Sequence, residues 1–494
     1  MSLLKKLAGQ TALYGLSSMI GRALNFLLVP FYTGVLLVGE FGVFTELYAY
    51  TAFLNVVYLF GMETTYFRFA NKNKLEEVET YQRIQTFVFL LSFVISGTLI
   101  LFSQPIASLL QYPDKKNYIV WLALIMGIDA IVALPFSRLR LQNKAGYFAF
   151  AKLVNIGLNI LLNLFFLVLC KGIYNGIYFQ EYSSFIKTFY HPSRDVEFIF
   201  ISNLIASACM IPLLWKHFSV YRFRWNFEIL QPLLIYAYPL MIMGLAGMVN
   251  EVLDRILLKP LLPEGFYPGL SKEEVLGIYG GCYKLSMFMT LAIQSFRYAA
   301  DPFFFSQATD KNAPELFARV MNWFVVVCLI IFLIVSLFNN EIGTLVLRHK
   351  FYQQGLEVVP ILLLANLFLG IYYNLSIWYK LTDKTYFGTI ITLAGATITI
   401  ALNFILIPLL GYTGAALATL LCYLFMAFAS YKIGHHYFPI PYSLPKIIGY
   451  IGLAVGLVYL SKWYSFDSVF FTIVLKLAFI GLFIGFVLLL HKRK

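Results

Sequence analysis

Long apolar runs separated by short polar stretches follow the whole chain. We delimit fourteen of them, at residues 9–36, 40–67, 83–103, 117–137, 146–170, 196–216, 229–258, 275–300, 317–338, 355–378, 386–410, 413–434, 444–463 and 468–490. A helix of about 20 residues is long enough to cross a hydrocarbon core of roughly 30 Å. None of the runs alternates apolar and polar residues as the strands of a membrane barrel do. The pattern therefore predicts an all-α polytopic membrane protein with about 14 transmembrane helices.

Composition and charge support a membrane environment. Of 494 residues, 60% are hydrophobic and 12% are charged, whereas a soluble domain carries about 25% charged residues. The net charge of +13 does not indicate nucleic acid here, because basic residues concentrate in loops. Loops on the side of the termini hold about 23 basic residues, against about 10 on the opposite side, so we expect both termini to be cytoplasmic.

The first six predicted spans resemble the next six. Gly42-Val43-Phe44 with Tyr48 recurs as Gly277-Ile278-Tyr279 with Tyr283. A second set, Tyr147-Phe148, Asn163, Gly172 and Gly176, recurs as Tyr386-Phe387, Asn403, Gly411 and Gly414. An even number of spans gives both copies the same orientation, related by an axis along the membrane normal. The predicted organisation is an N-lobe at 1–216, a cytoplasmic linker at 217–228, a C-lobe at 229–436 and two appended spans at 437–494.

Two basic residues inside the predicted spans are candidates for anion binding. Arg22 lies about 13 residues into the first span, near the membrane midplane. It shares one helical face with Tyr14, Ser18 and Asn25. Lys284 lies at a comparable depth in the eighth span. Because a buried charge is costly in lipid, we expect both residues to face a hydrated cleft, where a guanidinium and an ammonium suit a diphosphate.

Further polar residues within the spans form two groups. Those expected near the cavity or its mouth, besides the first-span residues, are Tyr48, Tyr283, Glu251, Asp254 and Arg255, and those considered for ion coupling are Asp129, Glu46 and Glu63. Glu251 and Arg255 are four residues apart and are able to pair along one helix face; whether that pair is structural or functional stays open. Tyrosines facing a cleft would stack on sugar rings.

Enzyme chemistry has no sequence signature here. The chain lacks HExxH, GxSxG and a nucleotide-binding glycine loop, and its six histidines fall in loops or at span ends. Its five cysteines form no paired motif. We therefore predict a non-enzyme with no cofactor and no metal centre.

Several motifs resemble those of polysaccharide biosynthesis proteins of the oligosaccharide flippase family. They are Gln10–Ser18 with Gly21-Arg22 and Pro30, Gly42–Tyr48, Gly61–Thr64, Asp254-Arg255, Gly277–Leu285, Ala299–Phe304, and Asn403 with Pro408, Gly411 and Gly414. This family is part of the multidrug/oligosaccharidyl-lipid/polysaccharide (MOP) exporter superfamily, which also contains lipid II flippases and MATE exporters. The resemblance implies two six-helix lobes around a cationic cavity, to which Arg22 and Lys284 would contribute.

The implied function is flipping of undecaprenyl-diphosphate-linked oligosaccharide to the outer leaflet of a bacterial cytoplasmic membrane by alternating access, for surface polysaccharide or lipopolysaccharide synthesis. The expected partners are this lipid-linked substrate, membrane lipid, a coupling proton or sodium ion, and other polysaccharide assembly proteins. Two alternatives stay open. One is a MATE-type multidrug or cation antiporter. The other is a membrane glycan polymerase or ligase, for which the outer loop at about 171–195 would supply Glu181, His191 and Arg194.

Overall fold

The computed structural model describes residues 20, 21, 23, 24, 26–70, 74–307, 310, 312–464 and 468–492. They form helices joined by short turns and loops, and no strand occurs among them. The all-α polytopic architecture is therefore confirmed.

The helices are numbered here in chain order. They are α1 (Phe26–Val35), α2 (Val38–Leu59), α3 (Met62–Phe69), α4 (Lys74–Leu101), α5 (Ser103–Leu109), α6 (Lys116–Leu141), α7 (Ala145–Leu164), α8 (Lys171–Tyr174), α9 (Ser183–Ile186), α10 (Asp195–Ala208), α11 (Met210–Leu213), α12 (Trp215–Phe218), α13 (Phe227–Leu261), α14 (Lys272–Leu285), α15 (Met287–Gln307), α16 (Ala313–Leu337), α17 (Asn339–Val346), α18 (Val358–Leu375), α19 (Ile377–Leu381), α20 (Tyr386–Tyr437), α21 (Leu444–Ser461) and α22 (Val469–Lys492). A π-helical segment at Phe165–Cys170 joins α7 to α8.

Most of the predicted spans coincide with long apolar helices. Within the described residues, eleven helical segments are long and apolar enough to cross a membrane, and a twelfth results if α14 and α15 form one span bent by 42°. The predicted first span, at 9–36, is described only in part, as the ten-residue helix α1. The count of fourteen is therefore not confirmed.

Helix α20 contains two of the predicted spans. Gly411 has φ 58° and ψ −136°, which no helix residue adopts. On either side of it the chain folds back, since the Cys422 thiol lies 3.4 Å from the carbonyl oxygen of Gly395, although a straight helix would separate residues this far apart in sequence by about 40 Å. A Cβ on Gly414 would lie 2.1 Å from the Leu406 carbonyl oxygen. The two halves of α20 therefore form an antiparallel hairpin with its turn at Gly411.

The contacts divide the described residues into two compact units. The first contains Glu46–Met248 and the described residues up to Leu28, and the second contains Val29–Thr45 with the described residues of Val249–Lys494. In the first unit, α6, α7 and α11 enclose an apolar cluster around Phe136 and Phe148. In the second, Phe304 and Phe317 pack with the start of α19. The lobe boundaries at 216 and 229 stay predictions.

Two glycines of the predicted repeat contact each other in the second unit. A Cβ on Gly42 would lie 2.0 Å from the Glu273 carbonyl oxygen, and a Cβ on Gly277 would lie 2.0 Å from that of Val38. Small residues permit such close approach of helix backbones. Helices α2 and α14 therefore cross backbone against backbone at this point, which no side chain larger than hydrogen would allow.

Candidate functional site

The polar face predicted on the first span lies outside the described residues. It consists of Tyr14, Ser18, Arg22 and Asn25. The part of Arg22 in anion binding therefore stays a prediction, and the candidate residues are described below for each unit separately.

In the second unit, a buried carboxylate organises the facing surfaces of α13 and α14. Asp254 is 2% exposed. Its Oδ1 forms an ion pair with Arg255 Nε at 3.3 Å, and its Oδ2 accepts a hydrogen bond of 2.5 Å from the Tyr279 hydroxyl. Both oxygens are thus satisfied, as a buried carboxylate requires. The negative charge of Asp254 is compensated within the protein. Asp254 therefore positions its neighbours rather than offering a negative charge to a ligand.

The contacts of Arg255 differ from those predicted. Its Nη2 donates to the backbone carbonyl of Glu251, and its ion pair is with Asp254. The predicted Glu251–Arg255 side-chain pair is therefore replaced, because the adjacent aspartate and a backbone oxygen occupy the guanidinium. The Arg255 guanidinium carbon also lies 4.1 Å from the centre of the Tyr283 ring, which is the range of a cation–π contact.

Lys284 is the basic residue of this group that has no bonded partner. It is half-buried, within electrostatic range of Arg255, and makes no hydrogen bond or ion pair with a described residue. It lies at the last turn of α14, immediately before the 42° bend, where the helix dipole favours a positive charge. An unpaired ammonium beside a guanidinium is able to receive an anion, with Tyr283 as the adjacent aromatic surface.

The sequence analysis missed Arg297 as a candidate. Arg297 lies on α15, is exposed, and its guanidinium carbon is 3.9 Å from the centre of the Tyr373 ring on α18. It has no ion pair with any described residue. Because it stands near the end of the predicted span at 275–300, it was counted with the loop charges.

In the first unit, charged side chains from three helices approach one another. Asp129 is exposed although it lies near the middle of α6, and Lys152 of α7 is within electrostatic range of both Asp129 and Glu63. Ser137 donates a hydrogen bond of 2.8 Å to Glu63 Oε1. The polar neighbours of Asp129 are Ser207 of α10 and Lys152 of α7. Sequence reasoning counted Lys152 with the loop charges, although it lies within the predicted span at 146–170, and so did not pair it with Asp129.

The remaining predicted residues of this unit have structural contacts. Glu46 is 2% exposed, and its Oε2 accepts a hydrogen bond of 2.5 Å from the Tyr112 hydroxyl. The Tyr48 hydroxyl accepts a hydrogen bond of 2.8 Å from Asn203 Nδ2 and is within electrostatic range of Asp129. Glu46 is therefore less accessible to an ion than Asp129 or Glu63.

The loop considered for enzyme chemistry is a folded connection. Arg194 Nε pairs with Glu197 at 2.7 Å, and Lys171 Nζ pairs with Asp195 at 2.6 Å. The Tyr190 hydroxyl donates to the second oxygen of Asp195 at 2.6 Å, and burial raises the pKa of Tyr190. The cation of this loop proposed for catalysis is thus engaged in a structural pair.

A buried histidine marks the connection between α10 and α13. His217 is 4% exposed, and its backbone carbonyl accepts a hydrogen bond of 3.3 Å from the Tyr81 hydroxyl. Burial, together with the nearby Arg138 guanidinium, lowers the pKa of His217 to about 4. Arg138 itself forms an ion pair of 2.9 Å with Glu77. The neutral imidazole is therefore part of the folded state.

Comparison with solved structures shows which proteins share this fold. The chain is similar in fold to a structure of the lipid II flippase MurJ in an inward closed conformation, with a TM-score of 0.70 and 14% identity over 96% of this chain and 98% of that chain. It is also similar to an inward-facing MATE family multidrug resistance transporter of the MOP superfamily, with a TM-score of 0.58 and 15% identity over 86% of this chain and 94% of that one. A mutant of the Vibrio cholerae MATE transporter VcmN gives a TM-score of 0.57 and 14% identity, over 88% of this chain and 95% of that one. The chain thus shares its fold with a MurJ flippase structure and with MATE transporter structures.

A family match narrows this class. Residues 35–191 match the family model described as "Polysaccharide biosynthesis protein". A search of curated proteins found no match. The predicted resemblance to polysaccharide biosynthesis proteins, lipid II flippases and MATE exporters is therefore confirmed.

Proposed function

We propose that this protein flips an undecaprenyl-diphosphate-linked oligosaccharide from the cytoplasmic to the outer leaflet of a bacterial cytoplasmic membrane. The polysaccharide biosynthesis match over residues 35–191 supports a glycan-lipid substrate. The MOP fold supports alternating access between two sides of the membrane. No bond is made or broken in this process.

The observation that carries the proposal is the unpaired Lys284 beside Arg255 and Tyr283. Moving a diphosphate through hydrocarbon without compensation is prohibitive, because charges lose their hydration. A half-buried ammonium with no bonded partner among the described residues supplies a countercharge without first breaking an ion pair. The ion pair with Asp254 balances the charge of Arg255, so the net positive charge of this group comes from Lys284, and Arg22 is proposed as a further cation.

The sugars are proposed to contact aromatic side chains while the prenyl chain stays in lipid. Tyr283 is half-buried and lies beside the proposed diphosphate site, where its ring presents a flat apolar surface. Arg297 over Tyr373 offers a second cation and aromatic pair on α15 and α18.

Ion coupling is proposed to use Asp129 with Lys152 and Glu63. A carboxylate that is exposed in the middle of a membrane helix, with an ammonium in electrostatic range, is able to exchange a proton with water while remaining inside the protein. Protonation of Asp129 would weaken its attraction to Lys152 and change the packing preference of α6 and α7.

The decisive experiment measures transport of a defined diphosphate-linked glycan in proteoliposomes. Lys284→Met is expected to reduce the rate at least tenfold, whereas Lys284→Arg should retain most of it. The matched control is Lys476→Met, which removes another membrane lysine, one that is already paired with Glu341 at 2.6 Å. A native rate for Lys284→Met in correctly folded protein would contradict the proposed diphosphate site.

A MATE-type cation antiporter is the second candidate. The exposed carboxylates of Asp129 and Glu251 favour it, since a cationic drug requires uncompensated acidic groups. In the same vesicles, the flippase is supported if the native protein shows no drug efflux and Lys284→Met loses glycan transport. Drug efflux lost in Asp129→Asn with no glycan transport supports the antiporter.

A further inference from the structure

A cavity of about 500 Å³ lies between α16, α21 and α22, away from the residues of the proposed transport site. Its polar wall carries Arg319 and Lys446, and one carboxylate, Glu315, stands at its exposed rim. Neither cation has an ion pair with a described residue. The lining therefore keeps a net positive charge that the protein itself does not neutralise.

The same wall contains groups suited to a lipid headgroup. The first turn of the 18-residue helix α21 borders the cavity at Ser443, which caps no backbone N–H with its side chain. Asn322 Oδ1 is buried and has no hydrogen-bond partner among the described residues. The two cations suit a phosphate, and the Ser443 hydroxyl and the Asn322 amide border the same cavity. The backbone N–H groups at the start of α21 do not contribute, because Leu444 and Lys446 donate theirs to Tyr442 and Ser443.

An apolar furrow continues from this cavity. It has a volume of about 370 Å³ and shares Arg319 and Trp323 with the cavity. Its remaining lining is apolar and includes Phe296, Phe324 and Val327. Trp323 is 43% exposed, as is typical of an aromatic residue at the level of lipid headgroups. A phosphate site that opens into an apolar furrow matches one lipid molecule better than a free anion.

We propose that this cavity binds an anionic phospholipid, with its phosphate between Arg319 and Lys446 and an acyl chain in the furrow along α15 and α16. Loop charge predicts that this end of the helices faces the cytoplasm, where anionic headgroups attract basic residues. The lipid would connect the appended helices α21 and α22 to α16. This site is independent of the proposed transport function.

The test uses the full chain in nanodiscs of phosphatidylcholine with a small fraction of phosphatidylglycerol. Retained lipid is measured by native mass spectrometry. The double variant Arg319→Gln/Lys446→Gln is expected to bind phosphatidylglycerol about thirtyfold more weakly, since two basic contacts to an anionic headgroup are lost. The control Lys216→Gln/Lys432→Gln removes the same charge from two exposed lysines and should bind within twofold of the native protein.

A second measurement separates the possible sources of the phosphate. Phosphatidylglycerol brominated on its acyl chains should quench the fluorescence of Trp323. This part of the quenching should be absent in Trp323→Phe and smaller in Arg319→Gln/Lys446→Gln. Equal lipid retention by the two double variants would overturn the proposal. Displacement of the lipid by millimolar inorganic phosphate would overturn the assignment to a lipid.

Discussion

The crossing of α2 and α14 gives a sharp test of the packing. In Gly277→Ala the new Cβ would lie 2.0 Å from the Val38 carbonyl oxygen and 3.2 Å from the Gly42 amide nitrogen. Both atoms belong to backbone, so no rotamer change removes the clash. The helices must separate by more than 1 Å to reach an ordinary contact of about 3.4 Å, and such overpacking costs roughly 1–3 kcal/mol. We expect a fall of several degrees in the unfolding temperature of the purified protein.

The matched control is Gly452→Ala on α21, where an added Cβ meets no atom within 4 Å. Alanine is favoured over glycine inside a helix by about 1 kcal/mol, so this variant should be as stable as the native protein or more so. Unfolding temperatures are compared by intrinsic fluorescence in one detergent. If Gly277→Ala were stabilised as much as Gly452→Ala, the backbone contact described here would be refuted.

Three further predictions concern individual polar side chains. Tyr279→Phe leaves Asp254 Oδ2 without its donor, so the free energy of unfolding should fall by about 1–3 kcal/mol; an unchanged unfolding temperature would contradict this. The pKa of His217 is about 4 in the folded protein and about 6.5 when unfolded, so acidification below pH 6.5 should favour unfolding. The resulting fall in the free energy of unfolding is roughly 3 kcal/mol near pH 4. His217→Gln should therefore lose less stability between pH 7 and pH 5 than the native protein does. Asp129→Asn should make glycan transport in vesicles insensitive to an imposed pH gradient, and a retained dependence would exclude Asp129 as the coupling group.

Individual residues show which features the sequence pattern was able to predict. The two halves of α20 correspond to the predicted spans at 386–410 and 413–434, since an apolar run of this length exceeds one crossing of the membrane. Lys284 was selected because a charge within an apolar run is costly anywhere in the membrane. Both inferences depend on local composition, which does not change when the chain folds.

Partner choice was not predictable in the same way. Arg255 lies four residues after Glu251 on the same helix face, yet its guanidinium pairs with the neighbouring Asp254. The other oxygen of that carboxylate accepts a hydrogen bond from Tyr279 of another helix. Lys152 was counted with the loop charges because it follows Arg138, Arg140 and Lys144 closely along the chain. Its proximity to Asp129 depends on the packing of α6 against α7.

The amino-acid sequence by itself determined that this chain lies in a membrane, that it is helical and where most helices begin and end, because hydrophobicity and backbone hydrogen bonding act along the chain. Only the tertiary structure decided which charges are neutralised and which stay unpaired, as Lys284, Arg319 and Lys446 do among the described residues. Charge compensation is set by distances of a few ångströms between different helices, and those distances arise from packing, including the glycine contact that brings α2 against α14.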